Sequence, residues 1–303
     1  MIGQGDMMSG KAYAKTIFQN IKRAVNARCC LNIRRAASRS SLIGHKTGGL
    51  PLVFILSQIV LYLAFLYLDI TGGDPRISAG MKYMVVILCF CYALLSGSEG
   101  GGIVFSIQAG LFFTLIADLF ILLLDLYFYG VLAFIIVQQL YGFRLLLVRE
   151  ELQGAKTGRN QSGRSRHMLF RFLRRLLLSL VLSAVICIVL TEAGVVMEAL
   201  IIVSVFYFIS ILMNTVSAVR LACRRERQGR SRDLMYAVGM FLFLLCDINV
   251  GLFNLSGFIE VSREVYSIIY GISSILMWTF YAPSQVLIAL SSSNRGGLSR
   301  QNY

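Results

Sequence analysis

The sequence predicts an all-α polytopic membrane protein of eight transmembrane helices, with two parallel four-helix halves as the expected repeat. Three observations lead there. Of 303 residues, 57% are apolar and only 15% charged, which is more apolar surface than one soluble core of that length buries. Runs of about 17 to 25 apolar residues, enough to cross a hydrocarbon core of roughly 30 Å, recur along the chain. The basic residues, finally, fall into a few groups separated by those runs.

The expected spans are Leu50 to Asp69, Met81 to Leu95, Ile103 to Leu124, Leu126 to Val148, Leu173 to Thr191, Met197 to Val219, Leu234 to Asn254 and Val265 to Leu290. They divide the chain into a basic arm (1–49), a membrane domain (50–290) and a tail (291–303). Lys and Arg in short loops are retained on the cytoplasmic side. With eight spans, 26 of the 29 basic residues share one face, and only Arg76, Lys82 and Arg263 are left for the other. Both termini are therefore expected in the cytoplasm, with the bacterial plasma membrane as the expected location. The net charge of +14 then records topology and attraction to anionic lipid headgroups. No base-reading motif accompanies it, so nucleic acid is not an expected partner.

The arm, with "KTIFQNIKRAVNARCC", places Ile17, Ile21 and Val25 on one helical face. It reads equally as a helix on the membrane surface or as a disordered tail, or as a start taken too early, with Met7 or Met8 the true one. It also has the basic, acid-poor character of a mitochondrial presequence. No signal-peptide pattern precedes Leu50. The connector "EELQGAKTGRNQSGRSRH", rich in Gly, Ser and Arg, reads as a flexible link (149–172) between halves 50–148 and 173–290. Cys89, Cys91, Cys187 and Cys246 lie inside spans, where packing is their expected role.

The repeat shows in "GLFFTLIAD" (Gly110 to Asp118) and "GMFLFLLCD" (Gly239 to Asp247), from the third and seventh spans. Four spans per half is an even number, so the halves would be parallel. A carboxylate in a helix centre costs on the order of 2.5 to 3.5 kcal/mol on insertion scales, and should face the bundle interior or a wet cavity. Asp118 and Asp247 are the candidate catalytic pair. Their spans run the same way, so at about 1.5 Å per residue the two acids lie at one depth, roughly 9 to 11 Å below the outer surface.

Around them the sequence offers Lys82, entering the same layer from the outer rim. Gln138, Gln139 and Gln285 are uncharged hydrogen-bonding groups, and Gln138 and Gln285 each lie one turn after an aromatic residue, Phe134 and Tyr281. Interhelical bonding is the plain explanation of the glutamines. Tyr141 follows Gln138 by a turn on the same face, and Pro283 is expected to kink the last span. The histidines, His45 and His167, lie in basic segments far from both acids, and no metal-ligand spacing, nucleophile elbow or phosphate-cradling loop occurs. Neither a metal nor a cofactor is expected. Two buried carboxyls that interact divide into acid and base, which suits hydrolysis through an oxocarbenium-like state. Paired intramembrane acids in parallel repeats equally suit an ion- or proton-coupled carrier, and bonding to neighbouring helices is a third role.

The run Gly130, Phe134, Gln138, Tyr141 in "GVLAFIIVQQLY", with "GMFLFLLCD" and the terminal "YAPSQVLI", resembles the YhhN-like integral membrane lysoplasmalogenase family over roughly Met81 to Leu290. The resemblance implies hydrolysis of the vinyl ether bond of a lysophospholipid. Asp118 and Asp247 would share acid and base roles, Lys82 would tune them or meet the lipid phosphate, and Gln138, Tyr141, Tyr281 and Gln285 would line the site. Three positions depart from the family pattern. Gln138 stands where His is usual, Cys246 where Ser precedes the Asp, and Tyr83 where Pro follows the Lys. Gln138 can position water or substrate but cannot carry a proton as His does. The oligomeric state is left open.

Overall fold

The computed structural model describes residues 49–97, 101–157, 164–225, 230–254 and 262–293. The expectations for the arm, the middle of the connector and the tail lie outside these residues. Among the described residues there is no strand, and eight helices are long and apolar enough to span a membrane. They are α1 (Gly49–Thr71), α2 (Pro75–Ser96), α3 (Gly102–Asp118, continued by a π turn over Leu119–Leu123), α4 (Tyr127–Thr157), α5 (Arg164–Glu192), α6 (Ala199–Arg224), α7 (Arg230–Phe253) and α8 (Arg263–Leu290). The protein is an all-α integral membrane protein, as composition and span length predict.

The boundaries differ most from the expectation at the second span and at the connector. The second span opens at Pro75, not Met81. The Asp74 side chain accepts the Arg76 N–H at 2.8 Å, and Pro75 starts the helix where a missing N–H costs nothing. The polar first turn hides this start from a hydropathy reading. At the connector, α4 runs to Thr157 and α5 begins at Arg164, so helix extends well into the segment expected to be a flexible link. Glu150 on α4 pairs with Arg171 on α5, tying the two extensions together. The α8 helix continues through Pro283.

The helices pack as two related sets. The α1 helix packs on α2 as α5 packs on α6, α2 on α3 as α6 on α7, and α3 on α4 as α7 on α8; α8 rests on α2 and α1 as α4 rests on α6 and α5. Neighbours arranged in this way are what a two-fold relation between parallel halves produces. The α4 and α7 helices are buried deepest and α5 least. On α1 and α5, residues such as Val53, Leu56, Val60, Leu177, Val181 and Ile188 turn apolar side chains outward, where hydrocarbon is the solvent.

The closest helix contacts explain the glycine of the repeated motif. A Cβ at Gly110 would stand 2.2 Å from Cε1 of Tyr141, a fully buried ring on α4. In the other half, a Cβ at Gly239 would stand 2.9 Å from Cγ1 of Ile288 and 3.0 Å from the Ser284 carbonyl oxygen on α8. Gly239 thus lets α8 come to backbone contact and Gly110 makes room for the Tyr141 ring of α4, the close approach that small residues permit between membrane helices. Overpacking such a seam costs about 1 to 3 kcal/mol. Gly110→Ala and Gly239→Ala should each lower the unfolding midpoint in detergent by that equivalent, whereas Gly251→Ala, with open space around it, should leave it unchanged.

Candidate functional site

Asp118 is the last residue of the α-helical part of α3, immediately before the π turn, whose ladder closes with Leu124 N–H donating to Leu119 O at 3.2 Å. A π turn widens the helix and re-phases the side chains beyond it, and such turns recur at functional sites. The start of α4 fits onto it, because a Cβ at Gly130 would come within 2.4 Å of Ile121 Cγ1. Asp118 is only 3% exposed. Its Oδ2 accepts a hydrogen bond from the Tyr281 hydroxyl of α8 at 2.7 Å.

Asp247 on α7 is half-buried, and its Oδ2 accepts from the Tyr207 hydroxyl of α6 at 2.7 Å. Tyr207 was not singled out in the sequence, since "VSVFYFIS" presents it as one aromatic among several in an apolar run. Each acid therefore receives one phenol donor, from a different helix of the second half.

Aromatic rings join the two pairs. Phe134 on α4 packs against Tyr207 with centroids 5.8 Å apart and edge-on against Tyr281 at 6.5 Å. Phe243 on α7 meets Phe134 at 5.8 Å and Tyr281 at 5.5 Å, both edge-on. Phe134 thus touches both tyrosines that hold the acids. Cys246 is buried and lies within electrostatic range of both carboxyl groups.

The uncharged candidates lie one turn nearer the basic face. Gln138 is 1% exposed, and its backbone carbonyl and Oε1 both accept from Asn214 Nδ2 of α6, each at 2.8 Å. Its Nε2 has no hydrogen-bond partner and stands beside the Tyr207 hydroxyl. Gln285 is fully buried, with Nε2 3.3 Å from Ser284 Oγ and Oε1 unpartnered. Tyr141 is fully buried against Gly110, and Gln139 bridges to Ser210 of α6 at 3.4 Å.

Lys82 is paired with an acid outside the candidate catalytic pair. Its Nζ pairs with Asp69 Oδ2 at 2.8 Å, because the three-residue link after α1 brings that acid beside the first turns of α2. Asp69, passed over as a terminal acid, also accepts from Ser78 at 2.5 Å. The Lys82 ammonium stands 4.7 Å from the Trp278 ring centre, and Trp278 packs edge-on against Tyr281 at 5.4 Å. Lys82 thus reaches the surroundings of Asp118 through an aromatic residue.

A second buried polar group was missed entirely. At the basic end, Asp233 is 3% exposed and pairs with Arg144 at 3.5 Å and with Arg225, while Arg144 lies 3.6 Å over the Tyr236 ring. Hydropathy hides these residues because they stand at span ends, where charge is ordinary. Among the described residues no cluster of His, Cys, Asp and Glu suits a metal ion.

An eight-helix membrane domain with one acid in each half, each held by a tyrosine beside a shared aromatic cluster, defines a class of polytopic protein with an intramembrane acidic site. Residues 77–292 match the YhhN family, and the chain belongs to it. Neither a curated protein nor a solved structure matches the chain.

Removing a donor from a sealed acid costs more than removing one from an acid open to surrounding medium. Tyr281→Phe should cost about 1 to 3 kcal/mol of stability in thermal unfolding and Tyr207→Phe distinctly less. Asp233→Asn, which takes one countercharge from Arg144 and one from Arg225, the latter also paired with Glu151 at 3.9 Å, should cost about 3 kcal/mol.

Proposed function

We infer that the protein is an integral membrane hydrolase of the lysoplasmalogenase type, acting on the vinyl ether bond of a lysophospholipid. The observation that carries this reading is the pair of intramembrane acids, each on a tyrosine hydroxyl, with both tyrosines against Phe134. Family membership supports it.

In this reaction a carboxylic acid protonates the β-carbon of the O–CH=CH unit, leaving an oxocarbenium ion. Water adds to that ion and gives its proton to the partner carboxylate. The hemiacetal then collapses to a free aldehyde and a glycerophospho-alcohol, so that one water is consumed and no redox partner is needed. Acid and base roles fall to Asp118 and Asp247. Gln138 lacks the proton-carrying capacity of a histidine, so its part is to hold water or a substrate oxygen. Lys82, next to Trp278, stands where a lipid phosphate would compete with Asp69 for its ammonium. The termini and the basic ends of the helices face the cytoplasm of a bacterial cell, where anionic headgroups meet them.

Purified protein incubated with lysoplasmenylethanolamine should release free aldehyde. Asp118→Asn and Asp247→Asn should each lower the rate at least a hundredfold, in the range general acid and base groups supply. A parent that releases no aldehyde would sink the reading. Proton flux into liposomes, lost in the same two variants, would point to a carrier instead.

A further inference from the structure

Behind Gln138 the structure holds a line of polar side chains that no apolar packing requirement explains. The Arg175 guanidinium of α5 reaches inward and donates to Asn214 Oδ1 of α6. Gly142 on α4 makes the room, for a Cβ there would stand 3.1 Å from that same oxygen and 3.4 Å from Arg175 Nη1. Asn214, 1% exposed, then donates through Nδ2 to the Gln138 backbone carbonyl and to Gln138 Oε1. Gln138 Nε2 is left facing the Tyr207 oxygen, and the Tyr207 hydroxyl donates to Asp247.

The direction of these bonds is set from one end. Asn and Gln amides can in general be turned over, since each carries an acceptor and a donor, but a guanidinium only donates. Arg175 therefore requires the Asn214 oxygen. That choice turns Nδ2 toward α4, where the Gln138 carbonyl also demands a donor. Gln138 must then present Oε1 to Asn214 and Nε2 to the site. A donor turned to the Tyr207 oxygen leaves that hydroxyl's proton for Asp247. Among the described residues Asp118 has no equivalent line behind it, and the Tyr281 hydroxyl is its donor.

We propose that Arg175 and Asn214 are positioning residues that orient the Gln138 amide, with its free N–H turned to a water or substrate oxygen at Asp247, and that they hold the Tyr207 hydroxyl on that acid. Through this orientation Asp247, as the acceptor at the end of the line, takes the base role and Asp118 the acid role. The proposal rests on the hydrolase reading only for that division of roles. The orientation of Gln138 stands without it.

The test uses full-length protein in lipid nanodiscs and four variants. Asn214→Asp keeps the shape and the Arg175 contact but cannot donate to Gln138. Arg175→Gln restores the freedom of the amides to turn over, Arg175→Lys keeps a group that only donates, and Arg174→Gln changes a neighbouring arginine outside the line. Dicyclohexylcarbodiimide, an apolar reagent that forms adducts with carboxyl groups, is followed at each aspartate by peptide mass spectrometry. In Asn214→Asp and Arg175→Gln, Asp247 should be labelled at least threefold faster, because the Tyr207 hydroxyl no longer covers it, while Asp118 keeps its parental rate. Arg175→Lys and Arg174→Gln should match the parent. Aldehyde release in the first two should show kcat down tenfold or more with KM within twofold. Labelling at Asp247 unchanged in all four overturns the proposal. So does equal acceleration at both aspartates, which signals general loosening, or Arg175→Lys behaving as Arg175→Gln. If the parent releases no aldehyde, the hydrolase reading falls, and the labelling still decides the orientation of Gln138.

Discussion

A carboxyl group carried into hydrocarbon finds no water to satisfy it, so its partners must come from the bundle itself. In this protein the partner is a tyrosine in both cases, Tyr281 for Asp118 and Tyr207 for Asp247. Tyrosine suits the setting physically. Its ring fills apolar space like any core aromatic, while its hydroxyl supplies one donor at the tip. The interior of the site is consequently made of the same residues as the core, with Phe134 and Phe243 packing between groups that also serve the acids.

The two halves share a plan but not its details. Both repeated motifs begin with a glycine that admits the next helix, and both end in an acid. Where α8 has Tyr281 one turn before Gln285, α4 has Phe134 one turn before Gln138, so the first half lacks the hydroxyl at that place. Asp247 is instead bonded from α6. The result is one sealed acid on a π turn and one half-buried acid next to a polar line from the basic end. Acid and base chemistry from like groups requires unlike environments, and small departures from symmetry create them.

Much of this was legible in the sequence because it follows from local rules. Eight apolar runs, the glycine and acid of the repeat and the face shared by Phe134, Gln138 and Tyr141 all come from spacing along single helices. What was missed came from contacts between helices distant in the chain. Tyr207 is 40 residues from Asp247, and Asn214 is 76 from Gln138. Lys82 found Asp69 because a short link set two helix ends side by side, a closeness that the spans read one by one did not convey.

The sequence by itself determined that the chain has eight spans, which ends carry the basic charge, and that two acids inside spans must be satisfied by their neighbours. These are consequences of transfer free energy and helical rise, which depend on residue type and order alone. Only the tertiary structure decided which tyrosine serves which acid, that Gln138 answers to Asn214 and Arg175, and that Lys82 belongs to Asp69. Those pairings depend on the rotation of each helix about its axis and on which backbones approach, and both are set by packing of all eight helices together.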